Sequence, residues 1–485
     1  MSWDGWNFVR KVRWRVFAFV FLMLVGWGTG ERRTFAQSAE EAKARTFTLE
    51  EAVDFALKNY PAIRASVEQT NAAREGVSLS RTNYYPRADT LWQANRATKN
   101  NVFGLLFPQS VIPPMTGPVL PTTSGQSVWG SAEGLLFSWE PIDFGTRKAK
   151  LDSAHAAENQ AKAQLDVTRL DVAVATVNGF LTLLAAEQTV RAAQADAERR
   201  EVFAKSVHVL VNNQLRAGAD ASRADAELAR AKANLARALQ QQEVSRAALA
   251  DILGIADTSV EVHEGLLAGA PPQNVSPTSA ISTHPVAQAQ EGRVEELRSQ
   301  VHALDRSYYP KFNLQSAVYA RGTGANTDGT VQGGTGGLGV DRHNWAVGLT
   351  VTFPAFDIFS IRARKGIEQA NERAEAARYD QTLQDLTGQL KKAQASLEGA
   401  RNVAEATPVE LQAARATETQ ETARYQAGLA TLVDVSDAQS LLVQAEIDDA
   451  LAHLAVWQNL AAVAASQGDL SPFLQFLRDK TQGGP

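Results

Sequence analysis

Two short motifs occur in the same order in each half of the sequence, and these repeated landmarks constrain the fold more than any other feature. Tyr-Tyr-Pro at residues 84–86 recurs at 308–310, and Ala-Gly at 217–218 recurs at 427–428. Between each pair of landmarks lie two short alternating segments and then a very long helical pattern. A spacing of about two hundred residues is too long for a solenoid repeat. It predicts a duplicated unit that combines a strand pair with a helical hairpin.

The N-terminus has the three parts of a cleavable secretory signal. Basic residues between 10 and 15 precede an apolar run at 16–25, and Thr-Phe-Ala ends at residue 36. The alternative, a single membrane anchor, needs about 20 apolar residues, and this run is shorter. The predicted organisation is a signal peptide at 1–36, a first repeat at 37–255, a linker at 256–280, a second repeat at 281–470 and a weakly ordered tail at 471–485.

The charge balance and the absence of cysteine exclude several classes of protein. The formal net charge is −5, and residues 1–36 carry six basic and two acidic side chains, so cleavage would leave −9. An acidic exported protein is a poor partner for nucleic acid. Without cysteine the chain has no disulfide framework, no thiolate metal site and no lipid anchor on an N-terminal cysteine.

Amphipathic strands are predicted before each long helix. The predicted strands span residues 87–99, 127–140, 312–321 and 343–353. In the last strand, Trp345, Val347 and Leu349 share one face. Segments of about ten alternating residues joined by long loops are typical of membrane β-barrels. The alternative is a water-soluble β-sandwich, which four strands would stabilise poorly beside so much helix.

Long helices that turn back on themselves account for most of the remaining chain. The helical patterns cover residues 46–82, 146–215, 222–255, 362–425 and 432–468. A capping box at Thr48 opens the first helix. Gly218 and Gly428 are expected in C-terminal capping positions, and Ser222 and Thr431 are expected to start the returning helices. The prediction is two antiparallel hairpins with tight tips.

Several motifs resemble the TolC-like outer-membrane efflux family. They are Phe-Thr-Leu-Glu-Glu-Ala at 47–52 with Asn-Tyr-Pro at 59–61, Pro-Ile-Asp-Phe-Gly-Thr-Arg at 141–147, and Tyr-Gln-Ala-Gly-Leu-Ala-Thr-Leu-Val-Asp-Val at 425–435. The resemblance implies an α+β membrane protein that forms a homotrimer. Each protomer would give four strands to one outer-membrane β-barrel and two hairpins to a long periplasmic α-helical barrel. Because four strands alone would leave open edges in lipid, physics also favours the oligomer.

The resemblance places a periplasmic aperture at acidic residues after the hairpin tips. Asp434 and Asp437 match the positions after the second tip, and Asp225 matches the position after the first. In a trimer, such carboxylate rings attract cations and raise one another's pKa. The alternative is that Asp434 and Asp437 are first-turn aspartates favoured by the helix dipole. Ala430 stands where the family's type member has a latch arginine, and Arg223 is the candidate substitute.

The tips also resemble the surface that the helical hairpin of a periplasmic adaptor engages. The candidate residues are Gly218, Ala219, Gly428, Leu429 and Ala430. Turn geometry alone is the alternative, and it explains the glycines better than the leucine. The implied partners are further copies of the chain, a periplasmic adaptor, an inner-membrane transporter reached through that adaptor, and outer-membrane lipid.

Nothing in the sequence predicts catalysis, a metal or a cofactor. The G-x-G-x-x-G at 334–339 precedes a strand rather than a helix, so it is interpreted as a surface loop. The seven histidines lack metal-ligand spacing. The sequence therefore predicts a passive exit duct of a tripartite efflux or type I secretion machine. The alternatives are a periplasmic adaptor, which would carry one hairpin, and a structural coiled-coil protein of the envelope.

Overall fold

The computed structural model describes residues 45–98, 125–269, 271–272, 280–326 and 330–482. The predicted signal peptide and the proline-rich loop after the first predicted strand lie outside these residues. The helices are α1 (Leu49–Asn59), α2 (Pro61–Thr82), α3 (Thr146–Asn212), α4 (Gly218–Leu253), α5 (Pro285–Arg306), α6 (Ile358–Gln426), α7 (Leu432–Ser466) and α8 (Ser471–Gln482). The strands are β1 (Arg45–Phe47), β2 (Arg87–Thr98), β3 (Ser127–Trp139), β4 (Val260–Val262), β5 (Lys311–Thr323) and β6 (Arg342–Thr352).

Both predicted strand pairs join one antiparallel sheet in the order β2-β3-β5-β6. The four strands match the predicted segments to within two residues at each end, because their alternation marks their length. Arg87 pairs with Ser138, Ser138 with Gln315, and Gln315 with Gly348, so these four residues lie on one face. In the described part of the chain, the outer edges of β2 and β6 have no neighbouring strand.

The helices of the two halves have nearly equal lengths. Helices α2 and α5 each have 22 residues, α3 and α6 have 67 and 69, and α4 and α7 have 36 and 35. At 1.5 Å per residue, α3 and α6 are each about 100 Å long. Helix α6 continues through Pro408, although proline lacks the N–H that would bond one turn back.

The single helix predicted over residues 46–82 was wrong, because the chain breaks at Tyr60. Tyr60 has an extended backbone (φ −65°, ψ 129°) and separates α1 from α2, which begins with Pro61. Proline disfavours the helical conformation of the residue before it. The predicted capping box is confirmed: the Thr48 hydroxyl accepts from the Glu51 N–H, and the Glu51 carboxylate accepts from the Thr48 N–H.

The expectation of a weakly ordered C-terminal tail was also wrong. Residues 471–482 form α8, where Phe473 and Leu477 lie one turn apart and are buried in the main hydrophobic core. The ring of Phe473 meets Trp457 of α7 at a centroid distance of 6.4 Å. Arg478 forms an ion pair with Asp54 of α1 at 2.6 Å. These contacts to distant residues fix a segment whose own apolar pattern is too short to predict its burial.

The segment predicted as a linker contributes structure of its own. Its strand β4 pairs in parallel with β1, with Thr46 opposite Glu261 and Phe47 opposite Val262. Val260 is fully buried in the same core as Phe180 of α3. This small parallel pair therefore ties the beginning of the first half to the segment that follows its hairpin.

Helix α3 is, among the described helices, the one long and apolar enough to cross a membrane by length and composition. Half of its most apolar window is buried inside the protein. Helices in the core of a folded protein have this property, because they are apolar on most sides. Phe180, Leu183 and Leu184 illustrate it, since all three are almost completely buried.

Candidate functional site

The first hairpin tip closes differently from its prediction. The left-handed residue is Gln214 (φ 65°), and the Leu215 N–H bonds the Leu210 carbonyl at 2.9 Å, which ends α3. Gly218 is not a C-terminal cap but the first residue of α4, and Ser222 lies inside that helix. Residue-type preference pointed to the glycine, whereas the chain places its left-handed turn four residues earlier.

The second tip follows the prediction closely. Gly428 is left-handed (φ 81°), and the Leu429 N–H bonds the Arg424 carbonyl at 2.8 Å. Thr431 caps α7: its hydroxyl accepts from the Asp434 N–H at 3.3 Å, and the Asp434 carboxylate accepts from the Thr431 N–H at 2.7 Å. The predicted roles of Gly428 and Thr431 in the turn are confirmed.

The predicted aperture residues Asp434 and Asp437 lie one turn apart on the exposed side of α7. Hydrogen bonds from the Thr431 backbone and hydroxyl hold the pKa of Asp434 below its ordinary value. Within one protomer this direction is opposite to the rise expected of a carboxylate ring. The capping role therefore explains the position of Asp434 in the single chain.

Asp225 lies within the first hairpin. Its Oδ1 meets His208 Nε2 at 2.8 Å, which connects α4 to α3. Both side chains are about half exposed. Within the described part of the chain, the side chain of Asp225 forms its hydrogen bond with His208. This bond links the two helices of one hairpin and does not link the two tips.

A contact between the two tips involves residues that the sequence analysis did not single out. The Arg216 guanidinium lies 4.3 Å from the centre of the Tyr425 ring and donates to the Tyr425 carbonyl at 2.5 Å. The Tyr425 hydroxyl donates to Asp220 at 3.4 Å. Tyr425 is 1% exposed, and burial raises its pKa. Arg216, and not the predicted Arg223, therefore joins the second tip to the first.

A buried ionic network joins the same two hairpins along their helices, farther from the turns at the tips. Arg200 of α3 is 6% exposed, bonds Asp196 through its Nε at 3.0 Å, and also reaches Glu227 of α4 and Ser440 of α7. Such a buried cation is tolerated because each of its three nitrogens donates to a partner, and two of these partners are carboxylates. Its neighbour Arg199 forms a two-pronged ion pair with Glu446 of α7. No pattern in the sequence predicts that these residues pair.

The predicted adaptor residues are at the outer surface of the tips. Leu429 is 71% exposed. A Cβ atom added at Gly218 or Gly428 would meet nothing within 4 Å, so the surface around both glycines is open. Ala219 is exposed as well, whereas Ala430 packs partly against the small core beneath the tips.

One face of the sheet is exposed and mainly apolar. Trp92, Val318 and Trp345 point away from Arg87 and Gln315, and Trp92 and Trp345 are 73% and 76% exposed. Val347 and Leu349 extend this face along β6. A water-soluble sandwich would bury such a face against a second sheet.

Comparison with known proteins agrees with this arrangement. The family model of the outer membrane efflux protein matches residues 52–255 and 277–469, which is most of the chain. The chain belongs to the outer membrane efflux protein family. Its two matched parts contain the two strand pairs and the two long hairpins. The predicted family resemblance is confirmed.

Individual relatives cover nearly the same length. Protein CyaE of Bordetella pertussis is 25% identical over 432 residues, which are 87% of this chain and 84% of CyaE. Two crystal structures share the fold: VceC of Vibrio cholerae (18% identity, TM-score 0.67, covering 87% of this chain and 96% of VceC) and the open state of the MtrE outer membrane channel of Neisseria gonorrhoeae (19%, 0.67, 87% and 89%).

The cap of α7 leads to a first prediction. We expect Thr431→Val to raise the pKa of Asp434 part of the way towards its ordinary value of 3.8, because the hydroxyl hydrogen bond is lost while the backbone bond remains. A lowered carboxyl pKa stabilises the fold above pH 3.8, and that stabilisation disappears as pH falls through the lowered pKa. Carboxyl NMR titration measures the shift.

Thr422→Val is the control for this titration, because the Thr422 hydroxyl bonds Glu418 instead. It should leave the pKa of Asp434 unchanged. An unchanged pKa in Thr431→Val would show that the hydroxyl bond contributes nothing to the cap.

Proposed function

We propose that this protein is the outer-membrane exit duct of a tripartite efflux or type I secretion machine. Three copies would form one barrel from their strands and one helical conduit from their hairpins. Cargo would pass without any energy input from the duct itself. The periplasmic end would open and close at the hairpin tips.

The sheet carries this proposal. Its exposed apolar face suits contact with lipid, and its edges at β2 and β6 are unpaired among the described strands. In a bilayer every unpaired backbone N–H and C=O costs several kcal/mol, so an open four-stranded sheet is not stable there. Pairing β6 of one copy with β2 of the next removes both edges. Three copies supply twelve strands, a number within the range of outer-membrane barrels.

The tips support a gate at the opposite end. Asp434 and Asp437 are exposed on α7, and we infer that the copies of these residues form two carboxylate rings. Asp225 would stand near the same opening on the first hairpin. The contact between Arg216 and Tyr425 would hold the two tips of each protomer together in the closed state.

The surface at the tips supports the proposed contact with a periplasmic adaptor. The open surface at Gly218, Ala219, Gly428 and Leu429, with Ala430 beneath it, would take the helical hairpin of a periplasmic adaptor. An inner-membrane transporter, reached through that adaptor, would supply the energy. The signal at 1–36 would direct export, and the mature chain would reside in the outer membrane with its hairpins in the periplasm.

Planar-bilayer recording tests the proposal. We expect the detergent-purified protein to have the mass of a trimer and to form a channel that prefers cations. In Asp434→Ala/Asp437→Ala the cation-to-anion permeability ratio should fall towards unity, because the rings at the narrowest point are lost. The control is Asp448→Ala, which removes a carboxylate higher on α7 that is bonded to Gln444.

Each outcome separates the alternatives. A channel whose selectivity is unchanged in the double variant would place the aperture elsewhere. A trimer that forms no channel would contradict the duct and favour a structural coiled-coil protein. A protein that remains monomeric and never enters a bilayer would favour a periplasmic adaptor.

A further inference from the structure

A cavity of about 560 Å³ lies where the strands meet the helices. Its walls come from both Tyr-Tyr-Pro landmarks, from the ends of β2, β3 and β5, and from the first turns of α3. The repeated tripeptides therefore converge on one place in the fold. The wall is held firmly: the Trp139 indole donates to the Tyr84 carbonyl at 3.2 Å, and the Arg147 guanidinium stacks on the Tyr84 ring at 5.0 Å.

Positive charge predominates in this cavity. The basic lining residues are Arg87, Arg147, Lys150 and Lys311, and the acidic ones are Glu140 and Asp143, which together give a net charge of +2. Neutral donors complete the lining, among them the amides of two asparagines and the hydroxyl of Ser138.

Two of the cations are already used within the protein. Arg147 bonds the Asp143 carboxylate through its Nε at 3.0 Å and also donates to the Asn83 carbonyl. Arg87 pairs with Asp89 on its own strand at 3.0 Å. The ammonium groups of Lys150 and Lys311, by contrast, are in no ion pair with any residue that the structure describes. Their charge remains available to a ligand.

The cavity residues Arg87, Ser138, Lys311 and Asn313 lie on the face of the sheet opposite to Trp345 and Val347. Arg87 stands opposite Ser138, and Ser138 stands opposite Gln315. Lys311 and Asn313 precede Gln315 at alternate positions on β5, so they point to the same side. Trp345 and Val347 point to the other side, which we assign to lipid. In the proposed duct Arg87 and Lys311 therefore face the lumen, and Lys150 lines the same cavity from α3.

We propose that this cavity is a binding site for anionic groups, such as phosphates or carboxylates, of cargo that passes through the duct. Lys150 and Lys311 would neutralise the anion, and Ser138, Asn83 and Asn313 would donate hydrogen bonds to its oxygens. Three copies around one lumen focus the positive potential at this level. The luminal placement rests on the proposed function; the ligand chemistry rests on the cavity itself.

Binding of tripolyphosphate tests the site without requiring a channel. We expect calorimetry on the detergent-purified protein to detect binding that weakens about tenfold or more in Lys150→Gln/Lys311→Gln, because two charge-assisted contacts are lost. The matched control is Lys148→Gln/Lys391→Gln, which removes the same charge from α3 and α6 outside the cavity and should bind as the wild type does. Equal binding by both double variants, or no binding by the wild type, overturns the proposal.

Current recording then tests the luminal placement. Tripolyphosphate added to the strand side of the channel should block the current of the wild type and the control, and block Lys150→Gln/Lys311→Gln much less. Lysine-dependent binding that leaves the current of a working channel unaffected would contradict a luminal site. Lysine-dependent binding by a protein that forms no channel would contradict the duct and support the site.

Discussion

Arg216→Ala is expected to shift the channel strongly towards its open state. The guanidinium both stacks on Tyr425 and donates to its carbonyl, and these contacts join the two hairpins of one protomer. A hydrogen bond to a charged group contributes about 1.5–3 kcal/mol, which corresponds to a roughly ten- to hundredfold change in an equilibrium. Single-channel recording should therefore show a large rise in open probability or conductance.

Two further variants make this result specific. Arg223→Ala removes the arginine that the sequence alone favoured, and it should leave the conductance at the wild-type level. Tyr425→Phe keeps the ring beneath Arg216 and removes the long 3.4 Å bond to Asp220, so it should have a small effect. An Arg216→Ala channel indistinguishable from the wild type would show that the closed state depends on other contacts.

Val347→Arg is expected to prevent stable insertion into the outer membrane. Val347 lies on the exposed apolar face of β6, and an arginine on the lipid side of a barrel costs about 2–4 kcal/mol near the middle of the bilayer. In the proposed trimer this cost applies three times. Membrane fractionation and resistance of the trimer to detergent and heat measure the loss.

The neighbouring position provides the control. Ala346 is on the opposite face of the same strand, where its cross-strand partner is Ala317. Ala346→Gln adds a polar side chain towards the proposed lumen and should leave insertion close to normal. If Val347→Arg inserts as well as Ala346→Gln, the apolar face is not the one that contacts lipid.

The sequence predicts the apolar face of the sheet but does not predict the contact between the two tips. The exposed apolar side of the sheet was visible in the alternation of Trp345, Val347 and Leu349, because side chains on a strand alternate with period two. The contact between Arg216 and Tyr425 was not visible. Their positions lie far apart in sequence, and no local rule pairs an arginine in one turn with a tyrosine at the end of another helix.

The two tips also differ in how well the sequence predicts their turns. At the second tip, Gly428 and Thr431 have the turn and capping roles that their residue types favour, and the sequence located both. At the first tip, Gly218 resembles Gly428 in sequence but begins α4, while Gln214 adopts the left-handed conformation. A strained non-glycine turn is stable where surrounding contacts outweigh its cost.

The amino-acid sequence was sufficient to predict the four strands, the two long hairpins, the caps at Thr48 and Thr431 and the family. These features depend on periodicity and on hydrogen bonds that span a few residues, so short stretches of sequence specify them. Only the three-dimensional fold reveals the burial of α8, the pairing of β1 with β4, the link between Arg216 and Tyr425 and the basic cavity beside Lys311. Each of these joins segments far apart in the chain, and contacts of that kind are fixed by packing in three dimensions.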